Sequence, residues 1–217
     1  MDKKELIKKY EIDIEKLKKE QLELSKKLDI KDRIDFSLVE RFGAVHTIFV
    51  QNKILCGFIV CNNEFEIIDS VYVFNKVNFP YLPGFRAYRE LPAIVEAFSK
   101  LKEVPDVIFV SGSGILHPRL GLASHLSLSI NVPTIGISNV ATGCDIEGED
   151  VLKESKKVGK VITKKPGSKP IYVSPGNFIS IKSAYELSKK NIFLPHKNPE
   201  PLHLFSKYIK KIKKELI

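Results

Sequence analysis

The sequence is poor in cysteine and has no long apolar run. Its 217 residues include three cysteines, Cys56, Cys61 and Cys144, an odd number at no metal-binding spacing. A disulfide framework or a zinc knuckle is therefore excluded as the organising device, and a reducing cytoplasm is expected. No apolar run approaches the roughly 18 residues needed to cross a bilayer, and the N-terminus lacks the apolar segment of a secretory signal. We therefore expect no membrane partner.

Basic residues outnumber acidic residues in this chain. The chain has 35 basic and 26 acidic residues, a formal net charge of +9 and a pI near 9.3. Seven lysines lie between residues 153 and 169, and five more lie between 207 and 214. Such clusters are compatible with a polyanionic partner, to which they would supply salt-dependent, sequence-independent affinity. The alternative is a lysine-rich solvated surface, as in a thermophile.

The hydrophobic pattern predicts a three-stranded antiparallel meander followed by strand–helix units. The predicted strands cover residues 44–50, 53–61, 65–74, 107–110, 134–137, 158–163 and 171–173. The predicted helices cover residues 2–28, 85–102, 122–130, 183–189 and 203–216. This order is typical of a ribonuclease H-like α/β fold, a mixed sheet flanked by helices. We expect one domain over residues 1–217, with an N-terminal helix (1–30) packed on it and a basic C-terminal helix (203–217).

Several segments between about residues 36 and 205 resemble the endonuclease V family, in the family's order and near its spacing. They include Asn-Phe-Pro-Tyr-Leu-Pro-Gly at 78–84, His-Pro-Arg at 117–119, Pro-Thr-Ile-Gly at 133–136 and Ser-Pro-Gly at 174–176. The further matching segments are 85–90, 105–114, 121–125, 170–173, 194–195 and 199–201. The resemblance implies a ribonuclease H-like fold, recognition of inosine in DNA or RNA, and magnesium-dependent hydrolysis of a nearby phosphodiester.

Such hydrolysis needs several carboxylates that converge on hard cations. The family places two aspartates and a glutamate there, but only the glutamate is retained, as Glu90. His46 and Ser111 stand at the aspartate positions, and Asn139 stands where the family has a lysine. Asn177 occupies a position that is usually histidine or acidic. Glu90 is thus the only expected metal ligand, and we expect magnesium binding and cleavage to be weak or lost.

The sequence offers two other candidate cation sites. His46 with Glu90 would be an incomplete set for zinc, manganese or iron, and the alternative is a strand histidine hydrogen-bonded in the former metal cavity. Asp145 lies in an acidic segment, 143–150, that offers a displaced cation site or simply a solvated loop. Asp106 is expected to be a turn or cap residue.

The resemblance also implies which residues would recognise nucleic acid. Pro80, Tyr81, Leu82 and Pro83 resemble the family's strand-separating wedge, in which a stiff loop presents an aromatic ring to the base stack. The alternative is a proline-rich turn that packs Tyr81 in the core.

The expected base pocket combines glycines, which admit a flat ring close to the backbone, with flanking side chains. Its predicted members are Arg86, Gly112, Gly114, His117, Gly121, Leu122 and Gly136. The amides of Gly112 and Gly114 are candidates to address a flipped base. The predicted phosphate contacts are Arg119, Lys164 and Lys165, and Ser124 and His125 are further candidates for either role.

We therefore interpret the chain as a monomeric, endonuclease V-like protein that binds DNA or RNA at inosine or another distorted base. One alternative is an active nuclease that uses Glu90, substrate phosphates and an unorthodox metal. The other is a non-catalytic subunit that uses its surface for a protein partner.

Overall fold

A computed structural model describes residues 3–163 and 169–216. Within these residues the chain forms nine strands and six α-helices. The strands are β1 (Phe42–Val50), β2 (Lys53–Cys61), β3 (Ile67–Lys76), β4 (Val107–Ser111), β5 (Thr134–Ser138), β6 (Asp145–Glu147), β7 (Asp150–Lys153), β8 (Lys156–Ile162) and β9 (Ile171–Asn177). The helices are α1 (Lys3–Lys9), α2 (Ile14–Ser25), α3 (Arg86–Ser99), α4 (Leu122–Ile130), α5 (Ile181–Lys190) and α6 (Glu200–Leu216). No helix in these two ranges is long and apolar enough to cross a membrane.

The strands form one mixed sheet in the order β3-β2-β1-β4-β5-β9-β8-β7-β6. The meander β1–β3 is antiparallel, β4 and β5 run parallel to β1, and the remaining strands pair antiparallel. The predicted fold class, a mixed sheet flanked by helices in a single domain, is confirmed.

Helices cover both faces of the sheet because the central strands are apolar on both sides. Alternation of side chains sends Ala44 to the core shared with α5 and α6, and Val45 to the core shared with α3 and α4. The continuous burial of β4 has the same cause.

Two sequence predictions of secondary structure are corrected. The expected helix over 2–28 is two helices, because Glu11 adopts a left-handed φ of 50° and Asp13 caps α2 by accepting a hydrogen bond from the Lys16 amide. The acidic segment 143–150 is not a simple loop, since Asp145 begins β6, which pairs with β7 at the edge of the sheet. The hydrophobic alternation of these short edge strands is too weak to detect.

The register of the central strands brings the substituted positions together. Val45 of β1 pairs with Val110 of β4, so that His46 and Ser111, the next residue on each parallel strand, are neighbours. Asn139 follows β5 at the same edge of the sheet. Helix α3, which carries Glu90, packs against β1, β2 and β3.

Candidate functional site

Glu90 lies in the middle of α3 and is 3% exposed. Its carboxylate accepts hydrogen bonds from Nε of Arg86 at 2.5 Å, from Nη2 of Arg86 at 2.9 Å and from the Thr47 hydroxyl of β1 at 2.6 Å. The two residues of the ion pair are four apart and so lie one above the other on the same helix face. The retained acid is therefore already neutralised, and both of its oxygens have donors.

Arg86 lies between Glu90 and the glycine-containing turn after β4. A Cβ atom at Gly112 would come within 3.3 Å of Nη1 of Arg86. The sequence resemblance placed Arg86 in the wall of a base pocket; the structure makes it the counter-ion of Glu90, with a side chain that is 39% exposed. The signal for this pair was present in the sequence as an arginine four residues before a glutamate in a helix.

His46 presents a neutral imidazole. Burial lowers its pKa, the nearby Arg86 charge lowers it further, and Glu90 opposes the shift in part. Its ring meets the Phe205 ring of α6 edge-on at 6.3 Å between centroids. Among the described residues its solvent-free Nδ1 has no hydrogen-bond partner, so the expectation of a hydrogen-bonded strand histidine is wrong at this nitrogen.

These residues do not fit magnesium. Mg²⁺ requires near-octahedral oxygen ligands and dehydrates reluctantly. The positions expected to ligate the metal offer one carboxylate that is held by Arg86, an imidazole and a hydroxyl. A cation would have to displace the guanidinium before it could reach Glu90.

Two further predicted positions have partners of their own. Asn139 is exposed, and its Oδ1 accepts a hydrogen bond from the Lys197 ammonium at 2.8 Å. Asn177 is buried, and its Oδ1 accepts from the Asp29 amide at 2.7 Å. Lys197 thus brings a cation to the end of β5 from a segment distant in sequence. No local pattern in the sequence indicates this contact.

The glycines of the predicted pocket allow backbone segments to pack together. A Cβ atom added at Gly114 would lie 2.0 Å from the carbonyl oxygen of Pro175. One added at Gly121 would lie 2.0 Å from the carbonyl oxygen of Ser113, and one added at Gly136 would lie 2.4 Å from the nitrogen of Gly114. Leu122 is buried, and its Cβ is 3.3 Å from the corresponding Cβ position at Gly112.

The amides of the two glycines in the turn after β4 are already used. The Gly112 amide donates to the Ile137 carbonyl at 2.9 Å, and the Gly114 amide donates to the Ser174 hydroxyl at 2.9 Å. The expectation that these two amides address a base is therefore corrected: a ligand here would have to use other groups.

The loop between β3 and α3 presents Tyr81 to solvent. Pro80 and Leu82 are buried and Pro83 is exposed, whereas Tyr81 is 64% exposed. The alternative that packed Tyr81 in the core is wrong. Gly84, at φ +82°, ends the loop in a conformation that favours glycine.

Arg119 anchors this loop. Its Nη2 donates to the Gly84 carbonyl at 3.2 Å, and its Nε donates to Oε1 of Gln21 in α2 at 2.6 Å. Nε2 of Gln21 donates to the same carbonyl at 3.1 Å. Instead of leaving these two donors free for a phosphate, as predicted, Arg119 uses them to fix the scaffold.

His117 is also part of the scaffold. Its Nδ1 accepts from the amides of Arg119 and Leu120, both at 3.1 Å. Burial, helped by the Arg119 charge, lowers the pKa of His117 to about 4, so the ring carries no charge for a phosphate at neutral pH. Ser124 and His125 are buried in α4, and burial lowers the pKa of His125 to about 4. Lys164 and Lys165 lie outside the described residues.

A cavity beside Tyr81 was missed by the sequence analysis. It has a volume of about 620 Å³, and its lining includes Lys9 of α1, Gln51 of the β1–β2 turn, Asn78 and Arg89. The Arg89 guanidinium stacks over the Phe49 ring at 3.9 Å and lies 5.9 Å from the Tyr81 ring. These groups meet only in the tertiary structure, and such a volume suits a small polar ligand.

Comparison with known proteins places these features in context. A family model described as Endonuclease V matches residues 22–205. The chain is 34% identical to Endonuclease V of Thermosipho melanesiensis, over 97% of this chain and 93% of that protein. It is also 34% identical to Endonuclease V of Archaeoglobus fulgidus, over 95% and 96% of the two chains.

The fold is that of solved structures with the same name. The structure of Endonuclease V from Bacillus subtilis superposes with a TM-score of 0.86 at 26% identity, over 95% of each chain. The Ciona intestinalis Endonuclease V, solved in complex with a 24mer DNA containing an inosine followed by a ribo-adenosine, has a TM-score of 0.81 at 22% identity and covers 94% of this chain and 99% of its own.

Proposed function

Because the chain belongs to the endonuclease V family, we propose that it binds DNA or RNA at inosine or another distorted base while its phosphodiesterase activity is weak or lost. One observation carries the second half of this proposal. The only retained carboxylate of the family's metal centre, Glu90, is buried and ion-paired with Arg86. The proposal includes the expectation of a cytoplasmic monomer.

The energetic argument compares what the centre needs with what it contains. Removing one element that stabilises charge in a transition state costs about 3 kcal/mol, or two decades of rate. His46 and Ser111 remove two carboxylates, and Arg86 ties up the third. The cation beside Glu90 is the Arg86 guanidinium, which does not activate water as a metal ion does.

The recognition half of the proposal rests on the anchored loop. The Gly84 carbonyl is held by both Arg119 and Gln21, so Tyr81 is presented without the entropic cost of ordering a flexible loop. An exposed ring on a stiff support suits stacking on a base or insertion into a base step. The net charge of +9 supplies attraction to phosphates. The Ciona protein, which shares the fold, was solved in complex with an inosine-containing DNA, and this supports nucleic-acid binding.

One observation favours a second candidate, an endonuclease that uses a metal other than magnesium. Nδ1 of His46 is buried and, within the described part of the chain, has no partner. An imidazole nitrogen suits zinc, manganese or iron. This candidate requires Glu90 to leave Arg86, and it predicts cleavage with Mn²⁺ that is absent with Mg²⁺.

The test is fluorescence anisotropy with matched single- and double-stranded oligonucleotides, DNA and RNA, that carry inosine or adenine at one position. In a chelator, at about 50 and 200 mM salt, we expect at least a tenfold preference for inosine and weaker binding at the higher salt. Repeating the incubation with Mg²⁺ or Mn²⁺ separates binding from cleavage.

A matched pair of variants locates the binding surface. Tyr81→Ala removes the exposed loop ring, and Tyr72→Ala removes a comparably exposed ring on β3. We expect Tyr81→Ala to weaken binding by about 5- to 150-fold, the 1–3 kcal/mol of one stacked base, and Tyr72→Ala to leave it unchanged. Equal affinity for both bases, insensitive to salt and to Tyr81→Ala, would contradict the proposal and favour a protein partner.

A further inference from the structure

Three metal-ligating side chains meet where α6 begins. Glu200 and His203 lie in the first turn of α6, three residues apart, and His196 belongs to the segment that precedes the helix. One ligand atom of each residue lies within 4.8 Å of those of the other two, and in the described ranges 3–163 and 169–216 this is the group of three that meets this criterion. The cluster is separate from the centre formed by Glu90 and Arg86.

The cluster is compact and partly shielded from water. Nδ1 of His196 lies 2.6 Å from Oε2 of Glu200, and the side chains are 26% and 13% exposed. The His196 and His203 rings stack with 3.3 Å between centroids and 16° between planes. Nε2 of His203 is buried, and nothing in the described part of the chain hydrogen-bonds to it. A buried lone pair or N–H without a partner is costly, so this nitrogen is available to a ligand.

We propose that His196, Glu200 and His203 bind one zinc ion. Two imidazole nitrogens and one carboxylate oxygen are a donor set that suits zinc and is unsuited to magnesium. Three protein ligands leave the fourth tetrahedral position to water. Ligand atoms of a tetrahedral zinc ion lie about 3.4 Å apart, so Nδ1 of His196 and Oε2 of Glu200, 2.6 Å apart without the ion, must separate slightly, and the stacked rings must fan apart until their lone pairs converge.

The ion would tie the segment before α6 to the helix itself. His196 is adjacent to Lys197, whose ammonium reaches Asn139 at the end of β5. His203 is two residues before Phe205, whose ring contacts His46. The ion would therefore fix the segment that carries Lys197 at the end of β5. The inference does not depend on the proposed function, because it concerns metal binding and stability.

Lysines near the His196–Glu200–His203 cluster disfavour cation binding, but the Glu200 carboxylate opposes their effect. Burial lowers the pKa of His203 most, the neighbouring His196 and then Lys207 and Lys210 on the same helix lower it further, and Glu200 raises it. Lys197 directs its ammonium at Asn139. The Glu200 carboxylate lies 2.6 Å from Nδ1 of His196 and opposes the lysine charges at His203.

The test uses the full-length protein after removal of metal with a chelator. Titration with Co²⁺ as a spectroscopic probe and with Zn²⁺ by calorimetry should give one equivalent, a tetrahedral d–d spectrum without a thiolate charge-transfer band, and a zinc Kd below about 10 µM. Free zinc at about 100 times Kd should raise Tm by roughly 5–10 °C.

Three ligand variants and two controls decide the assignment. His196→Asn, Glu200→Gln and His203→Asn should each weaken zinc binding at least tenfold and, at the same zinc concentration, reduce the rise in Tm to about half or less, while His46→Asn and Cys144→Ser should retain both. Circular dichroism in the presence of chelator checks that each variant folds. If one variant does not fold, the cobalt spectrum of the unaltered protein still tests for a tetrahedral site. No binding below 1 mM, or loss of binding only in His46→Asn or Cys144→Ser, would overturn the proposal.

Discussion

The centre around Glu90 and the loop around Tyr81 begin only a few residues apart in sequence, yet they are built in opposite ways. At the centre a buried carboxylate meets an arginine of its own helix, and the charges are satisfied internally. At the loop, buried Pro80 and Leu82 and the clamp on Gly84 hold an aromatic ring out in solvent. A carboxylate that binds a metal ion must be accessible to that ion, and a ring that stacks on a base must be exposed to solvent. Tyr81 meets its requirement, whereas Glu90 does not.

The comparison predicts where substitutions have large effects. Gly114→Ala should have the largest, because its Cβ would overlap the Pro175 carbonyl oxygen, a backbone atom with no room to move. We expect a loss of more than about 4 kcal/mol in the free energy of unfolding, or failure to fold. The measurement is urea denaturation followed by circular dichroism.

Gly112→Ala is the matched control for Gly114→Ala. Its Cβ would meet only side-chain atoms of Arg86 and Leu122, at 3.3–3.4 Å. These side chains can shift, so we expect a loss within about 1 kcal/mol. Equal losses for the two variants would show that the turn is not held by backbone packing.

Arg86→Leu should break the closed centre by leaving Glu90 buried without its counter-ion. Loss of one partner of a buried ion pair lowers the free energy of unfolding by about 3–5 kcal/mol, and because Arg86 is partly exposed we expect about 2 kcal/mol here. The double variant Arg86→Leu with Glu90→Leu should recover most of this stability, since no charge is then left buried. A stable single variant would mean that the ion pair contributes little.

Acid should weaken the scaffold around the loop. The folded-state pKa of His117 and of His125 is about 4, below the ordinary value of 6.5, because burial disfavours the charged ring. As the pH falls, the unfolded chain therefore binds protons before the folded chain does. The stability that the two neutral rings contribute is complete above pH 6.5 and is lost as the pH falls toward 4. After allowance for solvent screening we expect a loss on the order of 1–2 kcal/mol for each histidine.

Urea denaturation between pH 7 and pH 4 measures this loss, and His125→Gln should reduce it. A free energy of unfolding that rises as the pH falls over this range, in the unaltered protein, would contradict the assignment of neutral buried rings.

Tyr81→Ala should have the smallest effect on folding. The ring is mostly exposed, so we expect a change within about 0.5 kcal/mol, whereas Leu82→Ala next to it should cost about 2–5 kcal/mol. Thermal unfolding of the two variants distinguishes the exposed ring from its buried neighbour. A large loss for Tyr81→Ala would mean that the ring is part of the core.

The sequence predicted the fold well because its strongest signals are local. The meander, the buried strand β4 and helix α4, expected at 122–130 and observed there, follow from hydrophobic periodicity. The site was predicted in part. The register of β1 and β4 makes His46 and Ser111 neighbours. The family resemblance did not reveal that Arg86 is the partner of Glu90, since it placed Arg86 in a pocket wall.

What the sequence missed depends on contacts between distant segments. Lys197 reaches Asn139 across 58 positions, and Arg119 reaches Gln21 across 98. Whether a glycine faces a ligand or another backbone, as at Gly114, is likewise decided by tertiary packing. No residue pattern within one segment encodes these distances.

The central claim is that Arg86 and Thr47 close the carboxylate of Glu90 to magnesium. The most direct test is the single-turnover cleavage rate of an inosine-containing oligonucleotide, with enzyme in excess and saturating Mg²⁺. The unaltered protein should cleave no faster than it does in chelator, while a variant that combines Arg86→Leu with His46→Asp and Ser111→Asp should gain magnesium-dependent cleavage. Brisk cleavage by the unaltered protein with Mg²⁺, abolished by Glu90→Gln, would contradict the account.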